Sequence, residues 1–148
     1  MTISIVRRAG AAAAAALLSG AVAAAGAPSA AAASFHVIGG FHLKRVQSID
    51  GRTETALLLC ESSSFGARPG RIHGFGNLKD PTAACAELAA AHGDFAALDV
   101  HPTWLAPMLM APVHVEAHGT WKGAEVHYAH DFPNNGALAK QSGDVFAF

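Results

Sequence analysis

Successive side chains of a β-strand point to opposite faces, and residues 113–132 keep that period twice. Val113, Val115 and Ala117 alternate with His114, Glu116 and His118. His118-Gly119 begins a connection that runs through Trp121 and Lys122-Gly123, after which Val126, Tyr128, His130 and Phe132 again share one face. A hairpin with one apolar side is not stable alone and needs further strands and a covering layer. Upstream, Phe35–Val46 has strand composition broken by Gly39-Gly40, Asp50-Gly51 signals a turn, and Thr55–Cys60 resumes an apolar strand. Asp80-Pro81-Thr82 opens the clearest helix, with Asp80 as cap and Pro81 in the first turn. Ala84, Leu88 and Ala91 share a face of that helix over Ala83–Ala91, and Gly93 is placed to end it. Glu61–Lys79, rich in Ser and Gly, reads as a long surface loop, and Pro133–Gly143 as irregular chain before a short terminal strand, Val145–Phe148. These elements give an α+β fold: an antiparallel sheet with one helix packed on it, and room for a second short helix.

The first 33 residues read as an export leader. Arg7 and Arg8 precede an Ala-, Val- and Leu-rich stretch from Ala9 to Ala25, and Ala30–Ala33 ends in an Ala-x-Ala pattern before Ser34. Gly10, Gly20, Gly26 and Pro28 interrupt the apolar stretch, which argues against a membrane span. The expected organisation is a signal peptide at 1–33 and one secreted domain at 34–148. Of ten Lys and Arg, Arg7 and Arg8 leave with the leader, so eight basic residues face 11 acidic ones. That balance excludes nucleic acid and anionic membrane as partners, since both select clustered Lys and Arg. In an oxidising compartment the two cysteines, Cys60 and Cys85, are expected to pair.

Residues 99–112 hold Pro102, Pro107 and Pro112, so they form neither a long helix nor a central strand. Between them lie Trp104, Leu105, Met108, Leu109 and Met110, a density of large apolar side chains that belongs either in a core or in a binding loop. His114, Glu116 and His118, with His127 opposite, invite a metal reading. The solvent face of an antiparallel sheet produces the same alternation and is the preferred reading, so no metal and no cofactor is expected. No GxSxG or HExxH is present, and no Cys stands beside a His for nucleophilic work, so the chain is not read as an enzyme.

The ordered landmarks resemble the Streptomyces-type subtilisin inhibitor family. They are Cys60; Ala84-Cys85-Ala86-Glu87-Leu88; Gly93-Asp94-Phe95-Ala96-Ala97-Leu98; Pro107-Met108; Pro112-Val113; Gly119-Thr120-Trp121-Lys122-Gly123; Phe132; and Val145-Phe146-Ala147-Phe148. The resemblance covers nearly all of residues 41–148. It implies a five-stranded antiparallel sheet with two helices, a homodimer, and substrate-like inhibition of a subtilisin-like serine protease. The bait bond would be Met108–Leu109, with Leu105, Ala106 and Pro107 before it and Leu109 and Met110 after it.

Two departures from the family pattern bear on function. A cysteine of the family stands where this chain has Ala106, and its partner falls at about Gly136, so one whole disulfide is missing. A bridge there would close about 30 residues and contribute roughly 3–4 kcal/mol, so inhibition is expected to be weak or temporary. The segment between Cys60 and Cys85 is also longer than the family's. The alternative reading is a secreted, His-rich metal-binding or structural protein that keeps the scaffold without inhibiting.

Overall fold

The computed structural model describes residues 33–64 and 70–148; all of the expected leader but Ala33 lies outside the described residues. Five strands form one antiparallel sheet: β1 (Ser34–Gln47), β2 (Thr53–Ser64), β3 (Ile72–Gly76), β4 (Val113–Trp121) and β5 (Ala124–Phe132), in the order β3-β2-β1-β4-β5. Two helices complete the fold, α1 (Pro81–Ala90) and α2 (Asn135–Ser142). The α+β, five-stranded expectation is met.

The period-2 pattern sorts the sheet into two faces. Phe41 and Leu43 on β1, Ala56, Leu58 and Cys60 on β2, and Val113, Val115 and Ala117 on β4 point inward and are buried. Ala84, Cys85 and Leu88 of α1, with Phe95, Leu98, Val145 and Phe146, complete the same core. Asp80 caps α1 as the sequence suggests, its Oδ1 accepting a bond from Ala83 N at 2.9 Å. Cys60 on β2 is bridged to Cys85 on α1 with a Cα separation of 5.5 Å, so the bond fastens helix to sheet. Trp121 stacks against Phe41 with ring centroids 6.3 Å apart. Room for its indole is made by Gly39 and Gly93, where a Cβ would collide with the ring.

Three expectations are corrected. Glu61–Lys79 is not simply a loop, because β2 continues to Ser64 and β3 pairs with it along the sheet edge. The glycines of β3 serve that placement: a Cβ on Gly74 would strike the Pro81 carbonyl, and Gly74 N donates to Thr82 Oγ1 at 3.2 Å. Pro133–Gly143 contains α2, capped by Asn134 and closed at Gly143 with φ +54°. Val145–Phe148 is not a strand: Val145 and Phe146 lie in a turn, and Ala147 and Phe148 have no regular structure. Val145 and Phe146 are both buried, which no strand with one face in solvent allows, and Val145 N bonds Ser142 O at 3.1 Å. Arg45 holds this end by donating to Phe146 O at 2.9 Å and also to Phe148 O, while Glu87 of α1 accepts from Asp144 N at 2.8 Å.

Candidate functional site

The proline-containing stretch 99–112 crosses from α1 to β4 with no regular structure, and its backbone is tied at measured points. Val100 N and His101 N donate to Gln141 O and Lys140 O of α2 at 3.1 and 2.9 Å. His101 stacks flat on Trp104, centroids 3.6 Å apart and planes within 7°. At the far end Ala111 N donates to Pro133 O, and Pro112 O accepts from Ser48 N, each at 2.9 Å.

Between these ties the side chains turn to solvent. Leu105 is 97% exposed and Met108 100%, with Leu109 and Met110 also exposed. A core role for these residues is thereby excluded. Burying a side chain of this size contributes about 1.5–3 kcal/mol, so a surface row of four is available to a partner. Pro107 is exposed and Ala106 half-buried.

The residue that holds the row is Asn134, which the sequence reading missed. It is 5% exposed. Its Nδ2 donates to Pro107 O at 2.7 Å and to Leu109 O at 2.8 Å, one carbonyl on either side of Met108. Its Oδ1 accepts from Ala137 N at 2.8 Å and so caps α2. Every polar group of this amide is thus used, and the helix cap fixes the clamp. The available signal was local: an Asn three residues before an amide that needs a cap, just after Pro133. Gly136 sits against the Pro107 ring so closely that a Cβ there would meet the ring's Cδ. Where the family pattern has a covalent link, this chain has a proline ring laid on a glycine.

The histidines map as the strand alternation implies. His114 Nδ1 lies 2.8 Å from Asp131 Oδ1, and His118 is the cross-strand partner of His127. Lys44 pairs with Glu116 at 3.2 Å and holds its carboxyl below the usual range, with His114 adding to the effect. On the opposite side of the sheet, burial pushes the Glu87 carboxyl up to about 7. Among the described residues no three His, Cys, Asp or Glu side chains converge as a metal group.

A family model described as subtilisin inhibitor-like matches residues 41–134. A Streptomyces avermitilis relative is 47% identical over 64 residues, 43% of either chain, so this chain spans under half of that relative's length. Subtilisin inhibitor-like protein 4 of Streptomyces lavendulae is 36% identical over 91 residues, 62% of this chain and 70% of the relative. Subtilisin inhibitor-like protein 5 of Streptomyces fradiae is 35% identical over 101 residues, 66% of this chain and 85% of the relative. Among solved structures, Streptomyces caespitosus sermetstatin in complex with Bacillus licheniformis subtilisin matches at a TM-score of 0.46 and 27% identity, covering 74% of this chain and 98% of that one.

Proposed function

Because the chain belongs to the subtilisin inhibitor-like family, we propose that it inhibits subtilisin-like serine endopeptidases by offering residues 105–110 as a substrate that turns over poorly. Met108–Leu109 is the bait bond. The observation that carries this reading is the fully exposed Met108 set between two carbonyls held by one buried amide. A protease pocket receives a side chain that already projects, on a backbone already ordered, so little conformational entropy is lost on binding. Met108 fills a broad apolar pocket, and Leu105 reaches a second one three residues earlier. Pro107 fixes the torsion next to the bait.

The clamp also bears on cleavage. Pro107 O belongs to the acyl side of the bait bond and Leu109 O to the leaving side. After hydrolysis both remain on Asn134, and Ala111 N remains on Pro133 O. The new amine therefore stays beside the acyl carbon, where re-formation of the bond competes with departure. The ties are hydrogen bonds and not a disulfide, which supports slow decay of inhibition rather than permanence.

The Cys60–Cys85 bridge and the leader-like segment at 1–33 support export to the extracellular medium. Pairing of two copies is supported by the outer face of the sheet. Leu57, Leu59 and Phe75, with Phe35 and Val37, stand exposed there on the side that neither helix covers. Sedimentation of Leu59→Lys against the parent protein tests the pairing; equal molecular weights would remove it. Titration of subtilisin tests the inhibition itself. Activity should fall to completion near equimolar protein, and Met108→Asp should weaken inhibition by orders of magnitude. Full protease activity at micromolar excess would refute the proposal.

A further inference from the structure

The outer face of β4 and β5 carries a pair of side chains for which inhibition has no use. His118 and His127 are direct cross-strand partners. Their rings meet edge to face with centroids 5.2 Å apart, and Nδ1 faces Nδ1 at 2.9 Å. Both side chains are more than half exposed, at 54% and 68%.

The far nitrogen of each ring looks toward a carboxylate. Nε2 of His118 lies 3.8 Å from Glu116 Oε2, and Nε2 of His127 lies 3.8 Å from Glu125 Oε2. A neutral imidazole carries one proton, on one nitrogen or the other. When the proton of each ring sits on Nε2, each Nδ1 keeps its lone pair free. The two Nδ1 atoms then stand as acceptors 2.9 Å apart. A single cation set off the line between them reaches both, in place of the hydrogen bond that the pair makes when one Nδ1 is protonated.

The separation suits a narrow angle at that cation. Imidazole nitrogens bind first-row metals at about 2.0–2.1 Å, so two of them spanning a right angle stand about 2.9 Å apart. The tetrahedral angle that zinc prefers would need about 3.4 Å. We infer that His118 and His127 form a two-histidine chelate for a divalent transition-metal ion of tetragonal preference, copper(II) first. Glu116 and Glu125 stand 3.8 Å behind the rings and add negative charge beside the pair. The protein supplies two ligands, in keeping with the absence of a three-residue group among the described residues. Exposure leaves the other coordination positions to water. The reading does not depend on the inhibitory loop, which lies on the 99–112 connection and not on this face.

The test is calorimetric titration of the purified protein with copper(II), with electron paramagnetic resonance of the equimolar complex. One copper per chain should bind with a dissociation constant in roughly the micromolar range, with nitrogen hyperfine structure in the spectrum. His118→Ala and His127→Ala should each weaken binding at least tenfold, while His92→Ala, beyond the end of α1, leaves it unchanged. Circular dichroism should be the same in all variants, and the denaturation midpoint should be the same in both pair variants as in the parent protein, because those side chains are exposed. Absence of a copper site would overturn the proposal. So would a site that keeps its affinity in both pair variants, or one lost equally in His92→Ala.

Discussion

Asn134→Asp separates the two jobs of one side chain. Aspartate keeps an acceptor for Ala137 N, so the cap of α2 survives. It loses the Nδ2 donor and turns an oxygen toward the carbonyls of Pro107 and Leu109. Each lost bond is worth about 1 kcal/mol net, so the ordered loop is disfavoured by about 2 kcal/mol before any repulsion. If the protease binds only the ordered loop, that cost appears in the inhibition constant, as a weakening of about thirtyfold. Asn134→Ala loses the cap as well and should destabilise the fold by a further ~1 kcal/mol. The assay pairs the inhibition constant against subtilisin with the rate at which the Met108–Leu109 bond appears cleaved by mass spectrometry. Urea midpoints of both variants serve as the control. The Asp variant should keep most of its stability, inhibit weakly and be cleaved faster. If it inhibits as tightly and lasts as long as the parent protein, Asn134 does not hold the bait and the mechanism is wrong.

Gly136→Ala places a methyl into the Pro107 ring and within 3.1 Å of Asn134 Oδ1, so inhibition should weaken severalfold, measured as the inhibition constant against subtilisin. Replacing Cys60 and Cys85 together by Ala opens a link of sequence separation 25, and guanidinium unfolding should register a loss of about 3.5 kcal/mol on chain-entropy grounds. Glu87 has its carboxyl raised from 4.5 to about 7, chiefly by burial. The folded state therefore holds the proton more tightly than the unfolded chain. The stability contributed by the protonated group is full below about pH 4.5 and is lost as pH rises through about 7. Because the carboxyl is only partly buried, the loss is on the order of 1 kcal/mol after screening. Glu87→Gln should flatten this part of the stability–pH curve; parallel curves for the two proteins would show that Glu87 does not titrate as described.

The parts of the fold legible in the sequence were those in which a local rule and the tertiary contact agree. Val113–Phe132 alternates because one face is core, and Asp80-Pro81 starts a helix whose cap bond is internal to it. The parts that were not legible owe their form to a neighbour. Gly74 belongs to a strand because α1 crosses too close for a side chain, and nothing in Ile72–Gly76 announces that. Val145-Phe146 has the apolar run of a strand, yet its backbone turns because Arg45 and Glu87 seize the carbonyls and amides around it. Helix α2 has little apolar periodicity of its own; it buries Leu138 and Ser142 and leans on its cap. At the site, the exposed row at 105–110 was readable from its prolines and the family pattern. Asn134 was not, because its two key partners lie 25 and 27 residues away along the chain.

The dependence of the site on α2 follows from these contacts. Asn134 is held by the first turn of α2, and the start of the 99–112 connection is held by Lys140 and Gln141 in its last turn. The start of the connection and the clamp around Met108 thus hang on one eight-residue helix, a length too short to be stable alone, while the far end is tied to Pro133 O and Ser48 N. That helix is in turn secured after its last turn, where Glu87 accepts from Asp144 N and Arg45 gathers the final carbonyls. A disulfide from the bait to the start of α2 would make loop and helix order together. With Ala106 and Gly136 in its place, the same coupling passes through two bonds to one amide, about 2 kcal/mol where the covalent link would have contributed roughly 3–4. On the proposed reading this coupling pre-orders the bait but holds it less firmly than a covalent link would. In the proposed inhibition, permanence is therefore set by the local stability of that helix together with the ties at Pro133 and Ser48.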